Sequence, residues 1–141
     1  MTISIDAVID APVADIWALI SDFGNLARWH PLVERCETIG EGEGAVRTVY
    51  FANSWAAERL VRLDHDHHIL HYAIVDSDKP SSIGLSGAIS LSERGDGQTA
   101  INWTSGVDQG RPDAAQIDAY LTQYYPTRIE HLRDALKSSV A

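Results

Sequence analysis

The stretch DAPVADIWALISDFGNLARWHP, residues 10–31, decides the fold class because it sets two short helices after the first strand. Its apolar residues recur every three or four positions from Val13 to Ile20, which is typical of a short amphipathic helix. The segment NLARWH is long enough for one further helical turn, and Pro31 ends that turn because proline has no amide hydrogen to donate. We therefore expect two short helices before the chain enters a sheet.

Strand patterns lie on both sides of this stretch. Thr2–Ile9 alternates in side-chain character, which predicts a strand with one buried face. Turn-forming sequences such as GEGEG and RGDG divide the rest of the chain into short runs. These runs predict strands at Val33–Ile39, Ala45–Phe51, Trp55–Asp64, His68–Val75, Ile83–Glu93 and Thr99–Val107. Because the connections between successive strands are short, we expect an antiparallel sheet.

A long helix closes the chain, roughly from Pro112 to Lys137, with an apolar stripe that includes Leu121. Pro126 lies within that stripe and removes a backbone hydrogen bond, so we expect the helix to kink or divide near Tyr125. The order of elements predicts an α+β protein. In it, a strongly curved antiparallel sheet of about seven strands wraps around the C-terminal helix. A cavity is expected between the sheet and that helix.

Length and composition limit the class of protein. A chain of 141 residues, with 45% hydrophobic and 22% charged residues, suits one globular domain over residues 1–141. The formal net charge of −9 disfavours nucleic acid and anionic membranes as partners, and no apolar run is long enough to span a bilayer. The N-terminal sequence lacks the pattern of a signal peptide, so we expect a cytoplasmic protein. A monomer and a homodimer both remain open.

Five segments together carry a family resemblance. They are IDAPVADIWALISDFGNLARWHPLVERCE, GAVRTV, ERLVRLD, LHYAIV and INWTSGVD, in this order over about the whole chain. The sequence resembles the polyketide cyclase/dehydrase branch of the START-like (SRPBCC) superfamily. The resemblance implies a helix-grip fold with a deep apolar cavity. Members include aromatase/cyclases, lipid carriers and hormone receptors, so the resemblance implies a container rather than one reaction.

The resemblance, together with the alternation of side chains along strands, gives an expected cavity lining. It favours the face of the fourth strand that carries Ala56, Glu58, Leu60 and Arg62 as the concave one. The predicted ligand contacts are Trp29, Leu60, Tyr72, Leu85, Ile89, Trp103, Leu121, Tyr124, Tyr125 and Ile129.

Glu58, Arg128 and Tyr72 are the candidate catalytic residues. A carboxyl group inside an apolar cavity holds its proton more tightly and is able to act as an acid or a base, whereas a structural ion pair with an arginine is the alternative. Arg128 lies on the edge of the helix stripe. There it is able to pair with Glu58, bind a ligand carboxylate or enolate, or extend to solvent. A tyrosine hydroxyl in the cavity would bind a carbonyl group.

The other residues with reactive or metal-binding side chains do not form a recognisable metal site, phosphate loop or disulfide. His65 and His67 fall in a predicted turn, while His68 and His71 point to opposite faces of the next strand, so no metal site is expected. GEGEG lacks the lysine and the following helix of a phosphate loop. Cys36 is the only cysteine, which rules out an internal disulfide. We therefore expect neither a metal nor a cofactor.

Trp29 and His30 lie side by side just before Pro31. Trp29 is expected to pack in the core or to contact a ligand at the cavity entrance. His30 is expected at the solvated end of the short helix, or at the cavity mouth as a proton carrier.

Two functions lead the interpretation. The first is binding of a small hydrophobic molecule, carbonyl-bearing or aromatic, in the cavity. The alternative is a polyketide cyclase/dehydratase-type or lyase enzyme that uses Glu58, Arg128 and a cavity tyrosine. A third interpretation is that the protein is a protein-interaction module. This interpretation is favoured if bulky residues such as Tyr124 and Tyr125 fill the cavity.

Overall fold

The computed structural model describes residues 2–140, with side chains described for residues 3–137. Strand β1 (Thr2–Ile9) leads into helix α1 (Val13–Ile20) and a 3₁₀ helix (Phe23–Arg28). The remaining strands are β2 (Arg35–Ile39), β3 (Val46–Tyr50), β4 (Trp55–Asp64), β5 (Ile69–Ser77), β6 (Ser86–Gly95) and β7 (Gln98–Gly106). A 3₁₀ turn (Pro80–Ser82) lies between β5 and β6, and helix α2 (Ala114–Val140) follows β7.

The seven strands form one antiparallel sheet in the order β1-β7-β6-β5-β4-β3-β2. Strands β2 to β7 pair in sequence order because short turns join them. Strand β1 instead pairs with β7, and α1 and the first 3₁₀ helix carry the chain across to β2 at the opposite edge. The sheet curves around α2, which confirms the predicted helix-grip fold of the α+β class.

Two irregularities in the pairing of β4 with β5 alter which side chains face the helix. The register shifts between Ala57 and Glu58 and again between Leu60 and Arg62. Leu60 is buried as expected, but Arg62 is exposed and Leu63 packs against the core in its place. The concave position expected for Arg62 is therefore wrong, because a bulge adds one residue and reverses the alternation beyond it.

Helix α2 runs through Pro126 without interruption, so the expected division near Tyr125 is wrong, while a bend without a break stays a prediction. The proline removes one amide hydrogen and costs a helix interior about 3 kcal/mol. Burial of the apolar stripe outweighs that cost, since each large apolar side chain contributes about 1.5–3 kcal/mol. The buried members of the stripe are Leu121, Tyr125, Ile129, Leu132 and Leu136.

The core lies between the concave face of the sheet and α2, with α1 covering one part. Five polar residues are buried with it, namely His30, Arg47, Thr99, Ser105 and Arg128. Thr99 Oγ1 donates to the Ala11 carbonyl at 2.7 Å, and Ser105 Oγ donates to the Ser86 carbonyl at 2.5 Å. The other three define the candidate site. No helix within the described part of the chain is long and apolar enough to cross a membrane.

Candidate functional site

A cavity of about 50 Å³ lies between the concave face of the sheet, the segment after α1 and helix α2. Its apolar wall is formed by Ile20, Leu26, Trp29, Phe51, Leu70, Ile89 and Trp103. Its polar wall is formed by His30, Arg47, Glu58, Tyr72, Tyr124 and Arg128. A cavity of about 150 Å³ is needed to hold benzene, so the side chains of this protein fill much of its own interior.

The structure brings seven of the predicted site residues to the cavity wall and leaves five in the adjoining core. Those on the wall are Trp29, Glu58, Tyr72, Ile89, Trp103, Tyr124 and Arg128. Those in the core are Leu60, Leu85, Leu121, Tyr125 and Ile129. Alternation and helical spacing identify the buried face of an element, but they do not show where along that face space remains. Contact between any of these residues and a ligand stays a prediction.

Glu58 has an arginine partner, which is Arg47 of β3. The Nε atom of Arg47 donates to Oε1 of Glu58 at 2.7 Å, and the two side chains are only 8% and 14% exposed. Arg47 Nη1 also donates to the carbonyl of Phe23 at 3.0 Å, and its guanidinium lies 3.9 Å from the centre of the Phe23 ring. The pair therefore fixes the first 3₁₀ helix to the sheet.

Arg47 is a cavity residue that the sequence analysis missed. It stands directly opposite Glu58 in the β3–β4 pairing and shares the buried face of β3 with Val49. The alternation of buried positions along AVRTV was the signal that could have found it.

Arg128 is only 5% exposed, so the alternative in which it extends to solvent is wrong. Its Nη1 atom lies 3.1 Å from Nε2 of His30, and the same Nε2 lies 3.2 Å from the hydroxyl of Tyr124. The Arg128 guanidinium carbon lies 4.4 Å from the centre of the Tyr124 ring. Among residues 3–137, Arg128 takes part in no ion pair.

His30 is 3% exposed, so its expected solvated position is wrong. The amide of His30 donates to the Leu26 carbonyl at 3.0 Å, and the turn before Pro31 thereby places the ring beneath α2. Burial, followed by the positive charge of Arg128, lowers the pKa of His30 from 6.5 to about 3. The ring is neutral near pH 7. Since its Nε2 accepts a hydrogen bond from Arg128, we assign the ring proton to Nδ1.

Tyr72 occupies the other polar end of the cavity. Its hydroxyl accepts a hydrogen bond from Trp103 Nε1 at 3.2 Å, and the Trp103 ring stacks on Tyr125 with ring centres 4.7 Å apart. Burial raises the pKa of Tyr72 well above its usual value of 10, so the hydroxyl stays protonated. Gly87, opposite Tyr72 on β6, makes room for the ring, because a Cβ atom at this position would overlap its Cζ and Oη atoms.

The histidines of the segment DHDHHILH lie apart from the cavity wall, although Leu70 of the same segment lines it. Trp17 Nε1 donates to Nδ1 of His65 at 3.0 Å, and Nδ1 of His67 lies 3.0 Å from Oδ2 of Asp64. Among the described residues, no group of three or more His, Cys, Asp or Glu side chains is arranged to hold a metal ion. His65, His67 and His68 are therefore best understood as parts of the turn between β4 and β5, and His71 lies in β5.

An open groove of about 310 Å³ lies on the outer face of β1, β6 and β7. It is lined by short side chains and by charged residues such as Asp6 and Arg94, with no aromatic residue. Asn102 already donates to Ser4 and Asp6 there, at 2.9 Å in each case. The groove has a larger volume than the internal cavity. The cavity is nevertheless the candidate site, because its wall holds the buried side chains that are able to bind a ligand or to act as an acid or a base.

Residues 1–137 match the protein family described as "Polyketide cyclase / dehydrase and lipid transport". The chain belongs to this family. The family match confirms the resemblance found in the sequence. Because the description covers both catalysis and transport, membership of the polyketide cyclase / dehydrase and lipid transport family does not choose between an enzyme and a binding protein.

Similar proteins include the abscisic acid receptor PYL2 of Arabidopsis thaliana, which is 37% identical over 76 residues, 50% of this chain and 40% of that receptor. The chain thus spans less than half the length of the curated relatives it matches. Among solved structures, XoxI from Bacillus cereus has a TM-score of 0.82 at 16% identity, covering 99% of this chain and 98% of XoxI. Ara h 8.0201 has a TM-score of 0.78 at 15% identity, covering 98% of each chain. The two structural likenesses show the fold.

Proposed function

We propose that this protein binds a small, mainly apolar molecule in the cavity between the sheet and α2. The observation that carries the proposal is the composition of the wall, in which aromatic and aliphatic side chains surround a few polar groups. Those polar groups form two separate clusters, Arg47 with Glu58 and Arg128 with His30 and Tyr124. The similarity to proteins named as abscisic acid receptors, and the family description that includes lipid transport, support a binding role.

The small free volume limits how a ligand enters. With about 50 Å³ free, the ligand is compact or wall side chains move to admit it. Phe51 and Tyr124 line the cavity and are only half-buried, so they lie between it and solvent. Both rings pack on His30, with ring centres 5.7 Å and 6.4 Å apart. We infer that these two rings rotate when a ligand enters, since side-chain rotation disturbs less packing than movement of the sheet.

A titration with the neutral aromatic probe benzamide tests the proposal, followed in nitrogen–proton correlation NMR spectra. The protein has four tryptophans, and the indole N–H groups of Trp29 and Trp103 belong to cavity residues. Trp17 and Trp55 lie outside the cavity wall and act as internal controls. Binding in the cavity shifts the Trp29 and Trp103 signals first. Shifts confined to Trp17 and Trp55, or no shifts at all, contradict the proposal.

A matched pair of variants locates the binding further. Ile89→Phe adds volume at the cavity wall, where Ile89 is 3% exposed, whereas Val61→Phe adds the same ring at a position that is 53% exposed. We expect Ile89→Phe to weaken benzamide binding and Val61→Phe to leave it unchanged. If the two variants bind benzamide with equal affinity, the probe binds outside the cavity.

An enzyme of the cyclase, dehydratase or lyase type is the second candidate. The observation that favours it is that Glu58, Tyr72 and Arg128 all line the same cavity. The ion pair between Glu58 and Arg47 instead favours a structural role for the Glu58 carboxylate. For a carbonyl compound found to bind, Glu58→Gln is expected to abolish turnover and preserve binding if Glu58 is catalytic. Turnover that survives this change rules out the catalytic role.

A further inference from the structure

Two buried nitrogen donors at one end of the cavity have no hydrogen-bond partner among the described residues. They are Nε of Arg128 and Nδ1 of His30, in side chains that are 5% and 3% exposed. Arg128 Nη1 and His30 Nε2 are already engaged with each other, so the unpaired atoms are the groups left to bind something else. Buried polar groups are almost always paired, which makes two such donors in neighbouring side chains informative.

The charge at this end of the cavity is also uncompensated. The guanidinium of Arg128 carries a positive charge, and the carboxylate of Glu58 on the same cavity wall is engaged by Arg47. His30 is neutral, so it contributes no opposite charge. The ring of Tyr124 offers only a cation–π contact at 4.4 Å. A buried charge of this kind is costly unless an anion accompanies it.

We propose that Arg128, held in place by its hydrogen bond to His30, binds through Nε the carboxylate of a small organic acid whose apolar body lies against Trp29 and Trp103. This inference rests on the proposed function and narrows its ligand to one chemical class. A carboxylate supplies one unit of negative charge and acceptor oxygens, which match the unbalanced cation and the free Nε–H of Arg128. With about 50 Å³ free, this flat group fits better than a phosphate, which is larger and more highly charged.

Benzoate and benzamide form a suitable pair of probes, because they share one ring and differ mainly in charge. At about pH 7, we expect benzoate to bind the wild-type protein about tenfold or more tightly than benzamide, as charge-assisted hydrogen bonds require. In Arg128→Gln, the two affinities are expected to become nearly equal. The control Arg28→Gln changes an arginine that is 54% exposed in a surface ion pair with Asp22, and it should keep the preference for benzoate.

A measurement on the wild-type protein avoids dependence on the folding of any variant. The N–H group of Arg128 Nε gives an NMR signal that we expect to move downfield when benzoate is added and to move little with benzamide. This signal reports directly on the hydrogen bond that the proposal requires.

The outcomes separate this inference from the proposed function. If both probes bind with equal affinity and shift the signals of Trp29 and Trp103, the carboxylate site is wrong and the cavity remains a binding site. Water or another neutral molecule is then the partner of the free donors. A preference for benzoate that survives Arg128→Gln also overturns the site. If neither probe shifts a cavity signal, both the proposed function and this inference are wrong.

Discussion

At the scale of single residues, the interior holds two arginines with different partners. Arg47 is paired with Glu58 and bonded to the backbone of Phe23, so its charge and its donors are satisfied within the protein. Arg128 contacts only the neutral ring of His30 and the aromatic ring and hydroxyl of Tyr124 in the contacts described. The first arginine therefore stabilises the fold, and the second is the one suited to a ligand.

Removal of Arg47 is expected to destabilise the protein strongly. Arg47→Met leaves Glu58, 14% exposed, without its cation, and breaking a buried pair on one side costs about 3 kcal/mol or more. Urea unfolding monitored by circular dichroism measures the loss. Arg62→Met removes a pair with Asp64 in which the arginine is 46% exposed, and it should cost less than about 1 kcal/mol. Equal losses in the two variants would contradict the structural role of Arg47.

His30 makes the stability of the protein sensitive to mild acid. Its pKa is about 3 in the folded protein, whereas a histidine free of such contacts has a pKa of 6.5. Below about pH 6.5 the unfolded chain therefore binds more protons, and folding stability falls toward pH 3. Between about pH 7 and about pH 5, we expect wild type to lose about 2 kcal/mol more stability than His30→Gln.

Urea unfolding of both proteins at the two pH values measures this difference. The titratable and charged groups that act on His30 are Arg128, Tyr124, His131 and Arg47, and the rings of Trp29 and Phe51 also pack on it. All of these groups are present in both proteins. The lowered pKa of His131, caused by burial and then by Arg128, therefore cancels to a first approximation. Identical pH dependence in the two proteins would show that His30 is not held neutral.

The sequence predicts some of these residues and not others for physical reasons. The inward positions of Glu58 and Tyr72 follow from alternation along strands together with the family resemblance, which chose the concave face of the fourth strand. The burial of His30 does not follow, because it depends on α2, an element almost a hundred residues away in sequence that covers the ring. A histidine just before a proline is typical of a solvated helix end, and only the contact with α2 shows that His30 is buried.

At the scale of elements, the close approach of β5 and β6 depends on a glycine. Gly87→Ala would drive a methyl group into the Tyr72 ring, and overpacking of this kind costs about 1–3 kcal/mol. Thermal unfolding measures the loss. Gly106→Ala is the matched control, because its Cβ would meet only Ser86 Oγ at an ordinary 3.5 Å. If Tyr72→Leu in the Gly87→Ala background fails to restore stability, the clash with Tyr72 is not the cause.

Elements also differ in how well the sequence predicts them. The pattern of strand β4 predicts Trp55–Asp64, as observed, but it does not predict the two bulges, because a bulge depends on pairing with β5 rather than on residue pattern. Pro126 predicts a kink or a division of helix α2, and the helix is continuous across it, with its apolar stripe buried. The division is therefore wrong, while the kink stays a prediction.

At the scale of the whole molecule, the order of elements predicts a curved antiparallel sheet around the C-terminal helix, because short turns leave such a sheet few alternatives, and the family resemblance identifies it as a helix-grip fold. The volume of the cavity is not predictable in this way. It is what remains after side chains from the sheet, the segment after α1 and α2 have packed together. No local sequence pattern determines the volume that remains, and a single side chain such as Arg128 on α2 changes that volume. The chain carries a formal net charge of −9, whereas its cavity carries an unbalanced cation at Arg128.

The central claim is that a small ligand occupies the internal cavity, and intermolecular nuclear Overhauser effects from bound benzoate test it most directly. We predict contacts between the benzoate ring protons and the side chains of Trp29, Ile89 and Trp103, which surround the cavity. Contacts confined to the outer groove, at residues such as Val8 and Ala100, would contradict the claim.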